Sequence, residues 1–223
     1  MKKILIIVLF ALSVTLIFAA DPIAIVIKSK GNLVLIKNGT EKNITSGEQL
    51  FNGDVLKTGK SSFAAIRFSD ASSLVKVFPN SQITIKTKKN GKIYDKKTIL
   101  TAGNIWSKVV KRTGKFDIET PTTVVSVKGT KFLVSYDRDK KNSTIYTFEG
   151  VVLVKNKFDK FIKEVHPGEK AASFGKGIIV SNRFKKNSIK SGIIGYIEED
   201  ENIYEFDITN PAGGKKHIKM KFE

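Results

Sequence analysis

Period-two alternation of apolar and polar residues runs from about residue 23 to about residue 180 and commits this chain to β structure. Ile23-Ile25-Ile27, Leu33-Leu35, Ile83-Ile85, Val124 to Val127, Phe132-Val134-Tyr136, Ile145 to Phe148 and Val151 to Val154 are the clearest runs. In an extended strand such spacing puts the apolar side chains on one face. No stretch in this range sustains a 3.6-residue period. Asn38-Gly39, Asn52-Gly53 and Asn90-Gly91 stand between runs, and these dipeptides accept the positive φ of tight hairpin turns. Many short strands joined by turns predict an all-β fold, as a short-strand solenoid-like stack or an antiparallel β-sandwich. Gly-containing turns at Ser46-Gly47-Glu48, Thr101-Ala102-Gly103 and His166-Pro167-Gly168-Glu169 echo one another weakly, at irregular spacing.

The ends break the alternation. Lys2 and Lys3, the apolar run Ile4 to Phe18, and Ala19-Ala20 read as a signal peptide over residues 1–20. Its apolar run is shorter than the roughly 20 residues a membrane span needs. The expected location is therefore periplasmic or secreted. There is no cysteine, which excludes lipoprotein attachment, disulfides, thiol catalysis and cysteine-ligated metal together. Residues 21–180 form the expected all-β domain, large enough to be held by its core alone. Residues 181–202, polar and basic, then apolar around Gly195, then acidic, read as a linker or boundary segment with room for a short helix. Residues 203–223 predict a C-terminal hairpin, with Tyr204-Phe206-Ile208 and Ile218-Met220-Phe222 on one face and Asn210 to Gly214 as its turn.

The formal charge is +18, carried mostly by lysine, with Arg67, Arg112, Arg138 and Arg183 the only arginines. Base-specific readers of nucleic acid rely on the bidentate arginine fork, so this composition argues against a nucleic-acid partner. Lysines scattered along strands mark solvated faces and blunted edges. A charge this large also favours anionic envelope polymers or lipid headgroups at low salt.

Several segments then fall in a recognisable order. Gly31 to Leu35 and Gly53-Asp54-x-Leu56-x-Thr58-Gly59 come first, followed by Ser62 to Ser73 and Pro79-Asn80-Ser81-x-Ile83-x-Ile85. Ala102-Gly103-Asn104-Ile105-Trp106 leads into Phe116-x-Ile118-x-Thr120-Pro121, and Val125 to Phe132 includes Gly129-Thr130. Glu149-Gly150-x-Val152 and Pro167-Gly168-Glu169 close the set. This ordered set, over roughly residues 31 to 175, resembles the FecR domain of bacterial envelope proteins. The resemblance implies an extracytoplasmic β-module with a protein partner in the envelope. It also departs from the family at two positions. Ala71 stands where the family usually has glycine, implying a turn without positive φ, and Lys128 stands where it usually has arginine. Signalling members place an anti-sigma segment and a membrane span before the domain, so their transmembrane role is not carried over to this chain.

The motif residues also read as structure in their own right. Asp54, Asp70 and Asn80 are turn-capping types, Pro121 after Thr120 ends a strand, and Gly129-Thr130 marks a bulge or close backbone approach. Trp106 reads as core. Chemistry-bearing sets are absent from the sequence. His166 and His217 sit in no metal-ligand spacing, and no nucleophile elbow, Walker loop or dinucleotide loop is present. The acidic run Glu198-Glu199-Asp200-Glu201 lacks calcium-loop spacing. The sequence therefore predicts no catalytic residue, cofactor, metal or small-molecule substrate. It points to a non-catalytic interaction or scaffold module. An electrostatic binder of anionic polymer or membrane surface is the alternative, and a carboxylate-dependent hydrolase comes third.

Overall fold

The computed structural model describes residues 21–90, 93–110, 114–175, 177–181, 184–189, 191–198, 203–209 and 215–221. The expected signal peptide lies outside them. The chain enters one sheet, sheet A, as β1 (Ala24–Lys30) and crosses to a second, sheet B, as β2 (Leu33–Lys37) and β3 (Thr40–Asn43). It returns to sheet A for β4 (Gln49–Leu50), then visits sheet B in β5 (Val55–Thr58) and sheet A in β6 (Phe63–Phe68) and β7 (Ser73–Val77). Next comes β8 (Gln82–Asn90) in sheet B, then the long β9 (Ile93–Val109). The first half of β9 pairs with β8, and its second half pairs with β7 in sheet A.

From there the chain alternates in hairpins. β10 (Phe116–Glu119) and β11 (Thr123–Val127) lie in sheet B, and β12 (Lys131–Asp137) and β13 (Asn142–Glu149) in sheet A. β14 (Val152–Asn156) and β15 (Ile162–Val165) return to sheet B, and β16 (Lys170–Phe174) and β17 (Ile178–Ser181) to sheet A. Sheet A therefore has the order β4-β1-β6-β7-β9-β12-β13-β16-β17, and sheet B the order β3-β2-β5-β8-β9-β10-β11-β14-β15. Among the described pairings only β9–β10 is parallel.

Beyond the β4 and β3 edges both orders advance with the sequence, so the two architectures that the alternation left open merge. The molecule is an all-β sandwich whose chain steps along the stack as a solenoid does, with antiparallel neighbours except at β9–β10. The inward rows of the two sheets make the main core. Val26, Ile66, Phe68, Val75 and Val77 come from sheet A, and Leu33, Leu35, Leu56, Ile83 and Ile118 from sheet B. Phe68 of β6 meets Phe116 of β10 edge-to-face at 5.9 Å, bridging the layers. Burying each such side chain contributes about 1.5–3 kcal/mol.

A second apolar layer lies on the outer face of sheet A, where Ile27, Phe63, Leu74, Phe78, Trp106 and Leu133 are buried under the segment expected to be a linker. That segment contains a 3-10 turn at Lys186–Ser188 and the helix α1 (Ser191–Glu198). Gly192 and Gly195 within α1 each cost about 1 kcal/mol relative to alanine, so docking must hold the helix. Ile193 is buried, and the Tyr196 ring stacks on Phe63 at 4.5 Å with 6° between planes. The buried Lys76 ammonium donates to the Tyr196 carbonyl at 2.8 Å and sits 5.1 Å from the Trp106 ring. A cation on the last turn of a helix meets the negative end of its dipole. Lys76 is thus an exception to the solvated-lysine expectation.

Asn38-Gly39 forms the β2–β3 turn, as its sequence predicts, whereas Asn52-Gly53 joins strands of different sheets and is not a hairpin. It turns the chain out of sheet A instead, with the Gly53 N–H bonded to the Ile85 carbonyl at 2.9 Å. The terminal strands β18 (Ile203–Thr209) and β19 (Lys215–Lys221) pair with Glu205 opposite Lys219 and Asp207 opposite His217. Their expected turn, Asn210 to Gly214, lies outside the described residues. Among the described residues no helix is long and apolar enough to cross a membrane.

Trp106 is the only tryptophan and lies beneath α1, so its fluorescence reports docking. Tyr196→Ala is expected to red-shift the Trp106 emission and raise its quenching by acrylamide, while the far-UV strand signal stays unchanged. An unaltered emission would mean α1 does not shield the indole.

Candidate interaction surface

At one end of the sandwich the crossings between sheets are tied together by side chains. Thr58 Oγ1 donates to the Phe78 carbonyl at 2.5 Å and accepts from the Ser81 N–H at 2.9 Å. The Asn80 N–H donates to the Gly59 carbonyl at 3.2 Å. Ser81 Oγ accepts from the Asn104 N–H at 2.9 Å, and Ser62 Oγ accepts from the Asn32 N–H at the same distance. The motif residues Thr58, Gly59, Pro79, Asn80 and Gly103 thus meet in one junction. Gly103 has φ +87°, and a Cβ there would lie 2.2 Å from Ser81 Oγ and 2.7 Å from the Asn80 carbonyl oxygen. Glycine is obligatory at that crossing.

The same device recurs further along the same end. Thr120 Oγ1 and Thr122 Oγ1 of the β10–β11 turn each lie 2.7 Å from Ser143 Oγ of β13. Pro121 caps that turn with its ring exposed. Asn156 is fully buried and its amide donates to Ser173 Oγ and to the Gly175 and Gly177 carbonyls at 3.0–3.2 Å.

The opposite end holds the remaining motif residues. Asp54 is buried and accepts the Phe51 N–H at 2.8 Å. Gly129-Thr130 abuts Gly150, where a Cβ would come within 2.6 Å of the Gly129 carbonyl oxygen and of Thr130 Cγ2. The Thr130 carbonyl accepts from the Val109 N–H at 2.9 Å. After Pro167, the Gly168 N–H donates to the Thr147 carbonyl at 2.8 Å, and the Glu169 carboxylate accepts from the His166 N–H at 2.8 Å.

Asp70 accepts from Ser72 through both N–H and Oγ and pairs with Lys96 at 2.6 Å. Burial works against its charged form, yet the Lys96 ammonium and the Ser72 bonds outweigh it and hold the carboxyl below its ordinary range. Lys96 points into the sandwich and is 2% exposed, a second exception to the solvated-lysine expectation. The expectation for Ala71 is corrected: its φ is +56°, in the left-handed region the family's glycine would occupy freely. The Asp70 and Ser72 bonds hold the turn, and Ala71 carries the strain.

Sequence reasoning singled out glycines, prolines and acids together with Thr58, Asn80, Thr120 and Thr130. It carried Ser62 and Ser81 only within motif segments and missed Ser143, Asn156 and the buried lysines. The visible signal for Lys76 was its place inside the apolar run Leu74 to Phe78.

With the motif side chains engaged internally, the outer faces are the surfaces left for contact. Sheet B presents mixed charge with ion pairs Lys57–Glu41 at 2.9 Å and Lys97–Glu119 at 3.0 Å. Burial raises the Glu119 carboxyl and the Lys157 and Lys97 ammonium groups more than reverse it, so the net shift is downward. Beside these lies a groove of about 730 Å³ lined by Asp117, Ser126, Lys128, Gly129, Gly150 and Leu153. Lys128 is exposed there, in the family's arginine position. Sheet A carries a second groove of about 500 Å³ beside α1. Among the described residues no three histidine or acidic side chains are grouped to hold a metal ion.

This two-sheet β-architecture defines a class, and comparison places a domain within it. Residues 54–153, the middle of the sandwich, match the model of the family described as FecR protein. Two crystal structures of a candidate anti-sigma factor from Parabacteroides distasonis share the fold. In both, identity is 12%, 76% of this chain is covered and the TM-score is 0.52, with 84% and 85% of the other chain covered. At that identity the likeness concerns the fold alone. No curated protein matches the sequence.

Two substitutions separate the strained turn from the crowded crossing. Ala71→Gly is expected to stabilise the chain by about 0.5–1 kcal/mol, relief of the left-handed strain exceeding the added unfolded-state entropy. Gly103→Ala is expected to cost about 3 kcal/mol, since strain and overlap act together. Urea unfolding of both variants checks the opposite signs.

Proposed function

We propose that this chain is a non-catalytic, extracytoplasmic FecR-domain protein that serves as an interaction or scaffold module of the bacterial cell envelope. The observation that carries the reading is the internal use of the motif: Thr58, Asp54, Asp70, Thr120 and Glu169 all spend their polar atoms on turns and crossings. A motif of that kind specifies a rigid body and leaves recognition to its faces. The matched family and the description of the P. distasonis relative as a candidate anti-sigma factor favour a protein partner. The periplasmic or secreted location rests on the Lys2-to-Ala20 segment of the sequence.

One observation favours the electrostatic alternative. Lys86, Lys88 and Lys89 are exposed on the β8–β9 hairpin, beyond the reach of β5, which pairs only with Gln82 to Thr84. A cationic projection of this kind suits anionic polymer or lipid headgroups.

Capture of envelope components on the immobilised chain, washed at low salt and then at about 0.5 M salt, where the Debye length shrinks to a few Å, separates the two. The proposal expects a discrete protein partner retained through the high-salt wash. Heterogeneous acidic polymer or lipid that elutes with salt would replace it with the electrostatic reading, and turnover of a captured glycan or peptide would overturn both.

A further inference from the structure

The groove on the outer face of sheet A is set apart by what lines it. Strand register places Asn104, Ser135 and Thr144 side by side across β9, β12 and β13. The neighbouring row is Trp106, Leu133 and Tyr146, and on the other side Asp137 stands opposite Asn142. Asn80 from the motif junction reaches the same groove, and Ile189 and Ile193 of the α1 segment wall it. The side chains of Asn80, Asn104, Ser135, Asn142 and Thr144 make no hydrogen bond to described residues, while the Asn104 and Asn80 main chains are locked in the junction. These are neutral donors and acceptors on a rigid support.

The absence of charge from the central row carries the argument. Lys and Arg number 39 in this chain, and sheet B's outer face carries lysines and acids in ion pairs. Along Asn104, Ser135 and Thr144 there are none, and the Lys170 ammonium stands to one side, 5.9 Å from the centre of the Tyr146 ring. Asp137 and Lys140 lie at the rim, 4.0 Å apart. An anionic polymer would find no cation in the row and would meet the Asp137 carboxylate. A peptide that binds by strand addition needs a free strand edge, and this groove lies over paired interior strands. Protein docking needs a buried apolar anchor, and among the described residues the most exposed aromatic rings, Phe158 and Phe161, belong to the β14–β15 hairpin instead.

We propose that the Asn104–Ser135–Thr144 row, with Asn80, Asn142 and Tyr146, is a binding site for a neutral oligosaccharide. Sugar hydroxyls both donate and accept, and amide and hydroxyl side chains supply both functions. The half-buried Tyr146, its ring packed edge-to-face with Phe184 at 5.2 Å, adds its hydroxyl as a further polar contact at the margin of the row. Burial pushes the Tyr146 phenol up, which keeps that O–H neutral. The groove's size falls in the ~300–1,000 Å³ range of ligand sites. This site goes beyond the interaction-module reading and does not depend on it.

The test is titration of the full chain with an array of neutral oligosaccharides, including chitotriose, cellotriose and maltotriose, with dextran sulfate as the anionic control. At least one neutral glycan is expected to bind with an affinity unchanged between low and high salt. Asn104→Ala is expected to weaken it about tenfold through lost hydrogen bonds. Thr144→Lys, on a solvent-facing strand position, is expected to abolish binding without moving the thermal midpoint. No binding across the array, or binding that survives Thr144→Lys in a folded chain, would overturn the proposal. So would binding of dextran sulfate alone. None of these outcomes bears on whether a protein partner is captured.

Discussion

Apart from the continuous passage of β9, each change of sheet among the described strands forces the chain off one hydrogen-bond ladder before it joins the next, and the fold depends on how those crossings are satisfied. A backbone group leaving a ladder inside the sandwich must find a partner or lose its hydration without return. Thr58, Ser62, Ser81, Thr120 and Asn156 supply such partners at one end, and Ser143 ties the Thr120 and Thr122 hydroxyls to β13. A net hydrogen bond contributes about 1 kcal/mol, but orphaning a buried group costs about 1–3 kcal/mol. The clasps therefore act more by forbidding alternative crossings than by adding stability. Gly103 and Gly150 belong to the same constraint, because the backbones they separate approach too closely for a Cβ.

With crossings fixed, the remaining architecture follows from alternation. Strands advance in both sheets together, so successive inward rows meet across the layers and Phe68 reaches Phe116 although they belong to different sheets. The outer face of sheet A is different. It is apolar enough at Phe63, Phe78 and Trp106 to require a cover, and α1 provides one despite its two glycines. A helix with poor intrinsic propensity held by Tyr196 and Lys76 gains its order from tertiary packing.

The all-β class was legible because alternation has the strand period and nothing else does. The site was legible only in part. Glycines, prolines and turn acids announce special backbone geometry, so Gly103, Asp54 and Gly150 stood out. Ser143 and Asn156 did not, since a serine or asparagine at a crossing looks like one on any solvated loop until its partner, distant in sequence, is known. The reading of Ala71 failed for a different reason: residue type implied a relaxed turn, whereas the Ser72 N–H and Oγ, only two residues away, donate to Asp70 and the turn they close holds Ala71 at positive φ. The neutral row on sheet A was equally hidden, because Asn104, Ser135 and Thr144 are neighbours only through register.

The central claim is that the clasped crossings are the least yielding part of the molecule. Native-state hydrogen exchange at the Ser81, Asn104 and Thr123 amides tests it most directly. These amides donate, in order, to Thr58 Oγ1, Ser81 Oγ and Thr120 Oγ1. They are expected to exchange only through global unfolding, with protection equal to that of the central β6 and β12 amides. Exchange as fast as at the exposed β12–β13 turn would contradict the account, leaving the inter-sheet apolar core to hold the sandwich without them.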